Sequence, residues 1–591
     1  MKIRILTPDP RTIETESGGP LSAALTNAGI PLNVYCGGRG LCGRCLVEIV
    51  EGRLRPPEME ERDLLNARQA PPGVRLACCI QVESDLAVRL VPEALLGEVQ
   101  GLTEGILPSF AFDPPVKRLP FRLEPEEAAP PLLERCVAGR LKLPLDDLWE
   151  RHSGPVLREA VRSPGDYTAV VFDNQVLLDV ADGPGPGPAF GLAVDLGTTT
   201  AVVELVDLDR GLIAGRAVGP NRQARFGSDL ISRIARAVRD RDDAEELRRA
   251  ALDTLSALQA RVCSDARVPA GAIYDIVVAG NTVMNHLLLG RPVRSLAESP
   301  FEADFLEMPP VEAVPWGFDV HRRAKLFLAP NIGSYIGGDI TAGLVATGML
   351  GRPGNALFID LGTNGEIVLK RGEDVTAAST AAGPAFEGAG LSSGIAAVPG
   401  AVEAASWAGE SLTLSVIGDR PATGICGSGY IDLLAAFLSR GLISTRGALN
   451  AAGGLITVAP AVAVSRQDVR ALQLAVAAVR TGVALLLRRA GLAPSDLDVV
   501  YLAGAFGNRL NAANARRIGL LPAVDADRLR CAGNTSLAGA RAMLLSRPAR
   551  AEAARLASRI EHVSLASDPA FQDTYIRSLS FPESDAIDSI G

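Results

Sequence analysis

The chain has few aromatic residues, no excess of basic residues and no long uninterrupted apolar run. Aromatic side chains make up 4% of its 591 residues, and its net charge is −9. Both features argue against a nucleic acid as the main partner, because binding needs a basic face and base stacking needs exposed rings. No apolar run approaches the roughly 18 residues of a membrane helix, so we do not expect a membrane-spanning protein.

The first residues, MKIRILTPDP, lack the apolar region of a secretory signal peptide. We therefore expect a cytoplasmic protein in a reducing compartment, where disulfides rarely persist. Five of the nine cysteines nevertheless fall between Cys36 and Cys79. Such clustering in a reducing compartment is the first indication of a metal site.

The length predicts about three to five domains, and composition and turn residues divide the chain into four parts. Residues 1–95 alternate short strands, turns and helices and predict a small α+β domain. Residues 96–131 are rich in proline and predict an extended linker that tethers this domain, with a loop lying on a neighbouring domain as the alternative. Residues 132–188 form a small middle domain that ends at GPGPGP. Residues 189–591 alternate buried strands with long helices, such as 228–262, and predict an α/β domain.

One short repeat lies inside this last domain. The sequence DLGTT at 195–199 is echoed by DLGTN at 360–364, and each copy follows an apolar strand and precedes another. Because the flanks match as well, the repeat predicts two related halves that face each other.

The clustered cysteines have the pattern C-x5-C-x2-C with a distant fourth cysteine. Thiolates bind zinc or an iron–sulfur cluster. A structural zinc usually joins two short knuckles, whereas this chain has one dense loop and one distant ligand. The glycines in the loop allow bare backbone to approach a cluster closely. The pattern favours an iron–sulfur cluster, with zinc and a metal-free cysteine cluster as the alternatives.

The spacing resembles that of the vertebrate-type and bacterial hydroxylase [2Fe–2S] ferredoxins. This resemblance implies a β-grasp domain that carries one electron, with Cys36, Cys42, Cys45 and Cys78 as the ligands. Cys78 is preferred to Cys79 because RLAC resembles the usual context of the fourth ligand. If this segment is a strand, only one of the two neighbours can face the cluster.

The large domain carries elements that suit a nucleotide. The sequence has no P-loop motif. Instead, Asp195 and Asp360 each end a predicted strand, where a carboxylate can hold a hydrated Mg²⁺. The turns that follow offer backbone N–H groups and hydroxyls to phosphate oxygens. The predicted phosphate contacts are Gly197, Thr198 and Thr199 in the first turn and Gly362, Thr363 and Asn364 in the second.

A third element, LAGAFGN, follows another buried strand. Its glycines allow close approach of a flat adenosine. The predicted contacts are Gly504, Phe506 and Gly507.

These three motifs resemble the two phosphate motifs and the adenosine motif of the superfamily that holds acetate and sugar kinases, Hsp70 and actin. The resemblance implies two ribonuclease-H-like halves that bind ATP and Mg²⁺ in the cleft between them. Asp195 and Asp360 are then expected to hold Mg²⁺ and activate water. Glu366 is a candidate general base, although TNGE is also typical of a hairpin turn leading into a strand.

The combination of a [2Fe–2S] domain with this ATPase resembles the reductive activators of corrinoid proteins in bacterial and archaeal methyltransferase systems. Nearly the whole chain takes part in the resemblance, including the segments NIGSYIGGDITAG and GPAFEGAGLSSG. It implies an ATP-dependent, one-electron reduction of Co(II) to Co(I) on a partner corrinoid protein. It also implies an external electron donor or reductase and a homodimer. The chain has no D-x-H-x-x-G motif, so we assign the corrinoid to the partner.

Other functions fit parts of the same pattern. One is activation of a different low-potential enzyme, a second is a small-molecule kinase fused to a ferredoxin, and a third is a redox sensor in which ATP sets the conformation. Two isolated residues also have competing interpretations. His286 faces either a partner or the core, and we favour a structural histidine. Cys426 has no nearby thiol or histidine in sequence, so we expect a small buried residue.

Overall fold

The structure is a computed structural model of the chain. It describes residues 1–7, 10–28, 30, 32, 40, 43, 45–67, 70–91, 106, 110–127, 132–147, 149–183, 185, 187–227, 229–460, 462–504 and 510–583.

The N-terminal residues form a mixed sheet crossed by a helix. Its elements are β1 (Lys2–Ile5), β2 (Arg11–Glu14), α1 (Leu21–Asn27), β3 (Leu46–Glu51), α2 (Met59–Ala67), β4 (Val74–Leu76) and β5 (Leu86–Leu90). The strand order is β2-β1-β5-β3-β4, with β1 and β5 parallel and the other pairs antiparallel. Leu21 and Leu25 of α1 are buried in one core with Ile3, Leu76 and Val88. This arrangement confirms the predicted β-grasp domain.

The small middle domain is larger than the sequence predicts. Its elements are β6 (Val116–Leu123), α3 (Leu132–Leu141), α4 (Gly154–Ala160), β7 (Gly165–Phe172) and β8 (Val176–Asp182). β6 pairs antiparallel with β7, and β7 with β8. The linker predicted over 96–131 therefore differs from the structure at 116–123, and the domain begins before residue 132. Pro120, which favoured the linker prediction, is tolerated because β6 is an edge strand, where a missing N–H need not break the ladder.

Part of the segment before β6 lies against the C-terminal end of the molecule. The Ile106 N–H donates to the Ala532 carbonyl oxygen at 3.0 Å. Asp113 exchanges backbone hydrogen bonds with Leu545 and Arg547, and its carboxylate accepts from Arg547 Nε at 2.9 Å. The described part of the predicted linker is thus anchored rather than free.

The first half of the large domain follows the middle domain. Its elements are β9 (Phe190–Leu196), β10 (Thr200–Asp207), β11 (Leu212–Pro220), α5 (Leu230–Arg239), α6 (Arg241–Ala266), β12 (Ile273–Gly280), α7 (Thr282–Leu288), α8 (Arg294–Ala297), β13 (Val311–Glu312), β14 (Lys325–Leu328) and α9 (Gly338–Thr347). The sheet order is β11-β10-β9-β12-β14-β13. The helix predicted over 228–262 is two helices, because Asp240 has an extended backbone and its side chain caps α6.

The second half completes the chain. Its elements are β15 (Asn355–Leu361), β16 (Gly365–Arg371), β17 (Asp374–Thr380), β18 (Ala401–Ala408), β19 (Ser411–Val416), β20 (Gly424–Ile425), α10 (Gly427–Ser439), β21 (Leu455–Ala459), β22 (Val462–Ser465), α11 (Arg466–Ala490), β23 (Val499–Ala503), α12 (Ala512–Arg517), β24 (Leu529–Gly533), α13 (Thr535–Leu545), α14 (Arg547–Arg559), β25 (Glu561–His562) and α15 (Phe571–Ser578). The main sheet has the order β24-β23-β15-β16-β17-β25.

The two halves have the same topology. In the first, β9, β10 and β11 form an antiparallel meander, and β12 lies parallel to both β9 and β14. In the second, β15, β16 and β17 form the meander, and β23 lies parallel to both β15 and β24. The long helices α6 and α11 also occupy equivalent places, between the third and fourth of these strands. The duplication predicted from the short repeat is therefore confirmed.

Each half places one helix against the other half. The helix that follows β14, α9, contributes Ile340 and Leu344 to a core cluster with Phe358 of the second-half sheet. The equivalent helix after β24, α13, contacts β9 and β12 of the first half. The two helices pack directly on each other, and a Cβ at Gly539 would overlap the carbonyl oxygen of Ala342. We call α9 and α13 the exchanged helices.

Buried ion pairs fix the C-terminal helices to the first half. Arg541 of α13 donates to Glu204 at 2.8 Å, and the Glu204 side chain is fully buried. Arg550 of α14 pairs with Asp275, which is also fully buried. Removing one partner of such a pair would leave an unpaired buried charge, so these contacts specify how the halves meet.

One described helix, α11, has the length and composition of a membrane span, with a mean hydropathy of 1.5 over an 18-residue window. In this structure, 72% of that window is buried inside the protein. A buried core helix passes the same test, so the finding is weak evidence for a span.

Candidate functional site

The first predicted phosphate turn, Gly197–Thr199, joins β9 to β10. A Cβ at Gly197 would lie 2.5 Å from the Thr200 carbonyl oxygen, so the turn requires glycine there. Asn221 donates through its amide to the Gly197 carbonyl and through its backbone N–H to that of Thr199, both at 2.9 Å. Arg233 donates to the Thr198 carbonyl at 2.6 Å. Three carbonyl groups of this turn are thereby satisfied by the protein.

The second predicted turn, Gly362–Asn364, joins β15 to β16 in the same way. The Gly362 N–H donates to the Asn364 carbonyl at 3.0 Å. The Thr363 hydroxyl lies 3.5 Å from that of Thr199 in the first turn. The structure therefore brings the two turns together across the junction of the halves.

The third element meets the second turn. Gly504 follows β23 with a φ of +101°, and a Cβ there would overlap the Leu361 carbonyl oxygen and lie 3.1 Å from Asp360 Oδ1. A glycine is required by both the backbone angle and this close approach. The other predicted adenosine contacts, Phe506 and Gly507, lie outside the described residues.

Asp195 is held by neutral donors from α13 and the residue before it. Asn534 Nδ2 donates to one carboxylate oxygen and Ser536 Oγ to the other, both at 2.8 Å. Burial raises the pKa of Asp195, and these two hydrogen bonds oppose the rise. The carboxylate is thus fixed in orientation by the exchanged helix of the other half.

Asp360 has acidic neighbours instead. Burial, reinforced by the charges of Asp339 and Asp195, raises the pKa of Asp360 to about 8. Burial and the charge of Asp195 raise the pKa of Asp339 to about 7. Glu366 lies opposite Asp360 in the β15–β16 register, and burial and the charges of Asp339 and Asp360 raise its pKa well above its usual value. Groups that share a buried site in this way exchange protons near neutral pH.

Sequence reasoning selected Asp195, Asp360 and Glu366 but missed Asp339, Asn534 and Ser536. Asp339 lies in the first turn of α9, after β14, just as Asn534 and Ser536 flank the start of α13, after β24. A comparison of the two halves beyond the short repeat would have found this equivalence.

Direct binding of a metal ion by several carboxylates is not supported by the described residues, in which no three histidine, cysteine or acidic side chains converge to form such a site. A hydrated Mg²⁺ needs only one or two carboxylates together with phosphate oxygens. The Mg²⁺ site at Asp195 and Asp360 therefore stays a prediction.

The cluster site is described in part. Cys45 Sγ and Cys78 Sγ lie 3.2 Å apart, both buried, and the Cys78 N–H points at Cys45 Sγ at 3.4 Å. Two converging thiols with a backbone donor fit a pair of ligands to a [2Fe–2S] cluster. Cys36 and Cys42 lie outside the described residues.

The preference for Cys78 over Cys79 came from the resemblance of RLAC to the context of a fourth ligand, and the strand considered for this segment is absent. Both residues lie in a turn after β4, and their Sγ atoms are 3.8 Å apart. The short distance between Cys45 and Cys78 supports Cys78 as the ligand.

Two other residues have structural surroundings. His286 is fully buried, with Nδ1 2.7 Å from the Thr282 carbonyl and Nε2 accepting from the Asp304 N–H at 3.1 Å. Both ring nitrogens are used within the protein, so His286 is a structural histidine. Cys426 is buried at the start of α10, and burial raises the pKa of its thiol. This environment fits the expected small buried residue.

Together, the fold and the two sites define a class of protein in which an iron–sulfur domain is joined to a two-lobed nucleotide-binding domain. Comparison with known families agrees: a 2Fe-2S iron–sulfur cluster binding domain matches residues 5–83, the RACo middle region matches 190–352, and the C-terminal ASKHA domain of RACo matches 354–590. The range matched by the RACo middle region is the first half described above. The described small domain, β6 to β8, lies between the first two matched ranges.

Similarity over the whole chain specifies the family. The corrinoid activation enzyme RamQ of Eubacterium limosum is 30% identical over 605 residues, covering 96% of this chain and 97% of RamQ. A solved structure of a reductive activator for corrinoid, iron-sulfur protein has a TM-score of 0.73 and 32% identity, with 99% of each chain covered. The [Co(II) methylated amine-specific corrinoid protein] reductase of Methanosarcina barkeri is 27% identical over 429 residues, covering 66% of this chain and 77% of the reductase. The chain belongs to the RACo family of reductive activators of corrinoid proteins.

Proposed function

We propose that the chain reactivates a partner corrinoid protein by an ATP-dependent transfer of one electron, which reduces Co(II) to Co(I). The observation that carries the proposal is the similarity of the whole chain to a corrinoid activation enzyme and a reductive activator, with the cluster domain and the nucleotide domain in one polypeptide.

The cluster domain supplies the electron path. Cys36, Cys42, Cys45 and Cys78 are the proposed ligands, and the convergence of Cys45 and Cys78 supports the last two. A [2Fe–2S] cluster, when bound, supplies one-electron transfer. The buried sulfur atoms and the Cys78 N–H provide an apolar, hydrogen-bonded setting of the kind that tunes such a group.

The cleft between the halves is the proposed ATP site. The N–H groups and hydroxyls of the two turns bind the phosphates, and Gly504 admits the adenosine beside the second turn. Asp195, oriented by Asn534 and Ser536, is the proposed carboxylate that faces the phosphates or a hydrated Mg²⁺. Proton transfer from the attacking water is assigned to the acidic group of Asp360, Asp339 and Glu366, because their pKa values are raised.

The exchanged helices connect the ATP site to the packing between the two halves. Each one carries polar side chains to the turn of the opposite half, so a change at either turn also acts on the helix crossing at Gly539. Each 100 mV of uphill transfer costs about 2.3 kcal/mol per electron. Two states of the cleft with different affinity for the partner can offset such a cost.

Three features remain predictions around this function: an external electron donor, a homodimer and a cytoplasmic location. The seven described cysteines are all free thiols, which is compatible with a reducing compartment.

An anaerobic optical assay tests the proposal. A Co(II) corrinoid protein is mixed with the reduced chain, with and without ATP. We expect the Co(I) absorption band only with ATP, and its loss on Asp195→Ala or Cys42→Ser. Cys531→Ser, which removes an exposed thiol outside both sites, is the matched control. If the cluster is reduced normally but no corrinoid protein is ever reduced, the proposal fails.

A further inference from the structure

Glu387 touches both phosphate turns, although no sequence motif singled it out. It ends the short helical turn Pro384–Glu387, which follows β17 in the second half. Its carboxylate accepts a hydrogen bond from the Thr363 hydroxyl at 2.8 Å, and the Thr199 hydroxyl, 3.5 Å from that of Thr363, is close enough to lower the pKa of Glu387. One acidic side chain therefore joins the turn of the first half to the turn of the second.

These contacts use the groups that a phosphate would need. A threonine hydroxyl has a single proton to donate. While Thr363 donates to Glu387, it cannot donate to a phosphate oxygen. The hydroxyl oxygens of Thr363 and Thr199 are only 3.5 Å apart, which leaves no room for a phosphoryl group between them.

The charge of Glu387 adds to this competition. Burial raises the pKa of Glu387, whereas the hydroxyls of Thr363 and Thr199 and the charge of Arg233 lower it. The Arg233 guanidinium is itself engaged by the carbonyls of Thr198 and Gly227. Burial is the largest of these influences, and the carboxyl group that accepts from Thr363 and is attracted to the charge of Arg233 occupies the setting that the turns would offer to a phosphate.

We propose that Glu387 is an internal anion that takes the place of a nucleotide phosphate. It holds the two turns together in the absence of nucleotide and must be displaced when a polyphosphate binds. The inference rests on the proposed binding of ATP and deepens it. Glu387 is thus a residue that discriminates between ligands with and without phosphates.

Displacement of Glu387 from the turns would also affect α11 in the second half. The segment that follows Glu387 is tied to the start of α11, because the Ser392 N–H donates to Asp468 Oδ1 at 2.7 Å. Asp468 also belongs to the capping box of α11. Movement of Glu387 away from the turns therefore acts on a helix that spans the core of this half.

Calorimetric titration of the full chain with a non-hydrolysable ATP analogue and with adenosine, both in the presence of Mg²⁺, tests the inference. Glu387→Gln keeps a hydrogen-bond acceptor for the threonines but removes the charge. We expect this variant to bind the analogue about tenfold more tightly, or by about 1.4 kcal/mol, and to bind adenosine unchanged. Glu387→Asp, which keeps the charge on a shorter side chain, should show a smaller gain. Glu410→Gln, at an exposed site in the same half, is the matched control.

The outcomes separate this inference from the proposed function. If the unaltered chain binds the analogue but Glu387→Gln binds it equally or more weakly, Glu387 does not compete with phosphate and the inference alone is overturned. Equal tightening for adenosine would show a general loosening of the cleft and would also overturn it. If neither the unaltered chain nor the variant binds the analogue, the proposed function fails together with the inference. Should Glu387→Gln not fold, the same comparison applies to Glu387→Asp.

Discussion

The two halves of the large domain share one topology but treat the carboxylate at the end of the first strand in opposite ways. Asp195 is bound by the neutral side chains of Asn534 and Ser536, whereas Asp360 lies beside Asp339. In each case, the neighbour comes from the exchanged helix of the other half. The duplicated fold thus repeats the strand–turn–strand geometry in both halves. The residues at the start of α9 and α13 differ, so the two carboxylates have different neighbours. One carboxylate is held by neutral hydrogen-bond donors, and the other lies among acidic groups whose pKa values are raised.

The turns themselves are also supported differently. The carbonyl groups of the first turn accept from Asn221 and Arg233 of its own half, and the Thr363 hydroxyl of the second turn donates to Glu387. The first turn is therefore supported through its backbone by an amide and a guanidinium, whereas a carboxylate contacts the second turn through a side chain.

The largest effect is expected from breaking the contact that joins the halves. Gly539→Val forces α9 and α13 apart, because even a Cβ would overlap Ala342. We expect a loss of about 3 kcal/mol in the free energy of unfolding, at the upper end of overpacking costs. Urea unfolding measures it. Gly271→Val, at a site with open space, should change the value by less than about 0.5 kcal/mol. If Gly539→Val and Gly271→Val lower the free energy of unfolding equally, α9 and α13 are not closely packed at Gly539.

The second prediction makes the first half resemble the second. Asn534→Asp places an acid beside Asp195 and removes an amide donor, so two like charges replace a hydrogen bond. We expect the kcat/KM of ATP hydrolysis to fall about 30-fold, equivalent to about 2 kcal/mol. Asn534→Ser, which stays neutral and can still cap α13, should lose much less. A variant with unchanged hydrolysis would show that the orientation of Asp195 does not matter.

The reciprocal change makes the second half resemble the first. Because the folded-state pKa of Asp360 is raised to about 8, the native state binds a proton that the unfolded state releases. The free energy of unfolding should therefore fall as the pH rises from about 4 to 8. Asp339→Asn removes a like charge, lowers the pKa of Asp360 and makes this fall smaller, by about 1.4 kcal/mol for each pKa unit.

Unfolding midpoints at pH 5, 6, 7 and 8 measure this difference. Asp374→Asn, at an exposed strand end, is the control and should leave the pH dependence as it is. If the free energy of unfolding depends on pH in the same way in Asp339→Asn and in the unaltered chain, the charge of Asp339 does not raise the pKa of Asp360.

The smallest effect concerns the support of the first turn. Asn221→Ser keeps a side chain that can cap the helical turn after it but loses the amide that donates to the Gly197 carbonyl. We expect the free energy of unfolding to fall by about 1 kcal/mol, the usual net contribution of one buried hydrogen bond. Urea unfolding measures this change. Asn450→Ser removes a similar but exposed bond to Gly441 and should cost less. If Asn450→Ser lowers the free energy of unfolding more than Asn221→Ser does, the hydrogen bond from Asn221 is not what supports the first turn.

Local patterns were sufficient to predict the two halves, the positions of the two turns and the N-terminal iron–sulfur domain. The DLGT repeat is short, but its neighbouring strands lie in the same stretch of sequence, so the duplication was visible. The residues that act on the turns were not, because their positions depend on tertiary packing. Asn534 lies more than 300 residues from Asp195, and Glu387 lies in an irregular segment without periodicity.

The errors have similar physical causes. β6 was missed because it contains Pro120 and lies in a proline-rich stretch, which is typical of a linker. Proline is compatible with a strand at the edge of a sheet, but the sequence does not show that β6 is an edge strand. Asp240 interrupts an otherwise helical pattern by capping the next helix, and a cap of this kind resembles an ordinary polar position in sequence.

The hydrogen bond between Ile106 and Ala532 attaches the segment before the small middle domain at a point close to the nucleotide cleft. Ala532 is two residues before Asn534, whose amide donates to Asp195. The attachment point and the support of Asp195 therefore lie on one short stretch, from the end of β24 to the start of α13. A shift of this stretch moves both at once, so a single strand end serves the candidate ATP site and the anchoring of the segment that follows the cluster domain in sequence.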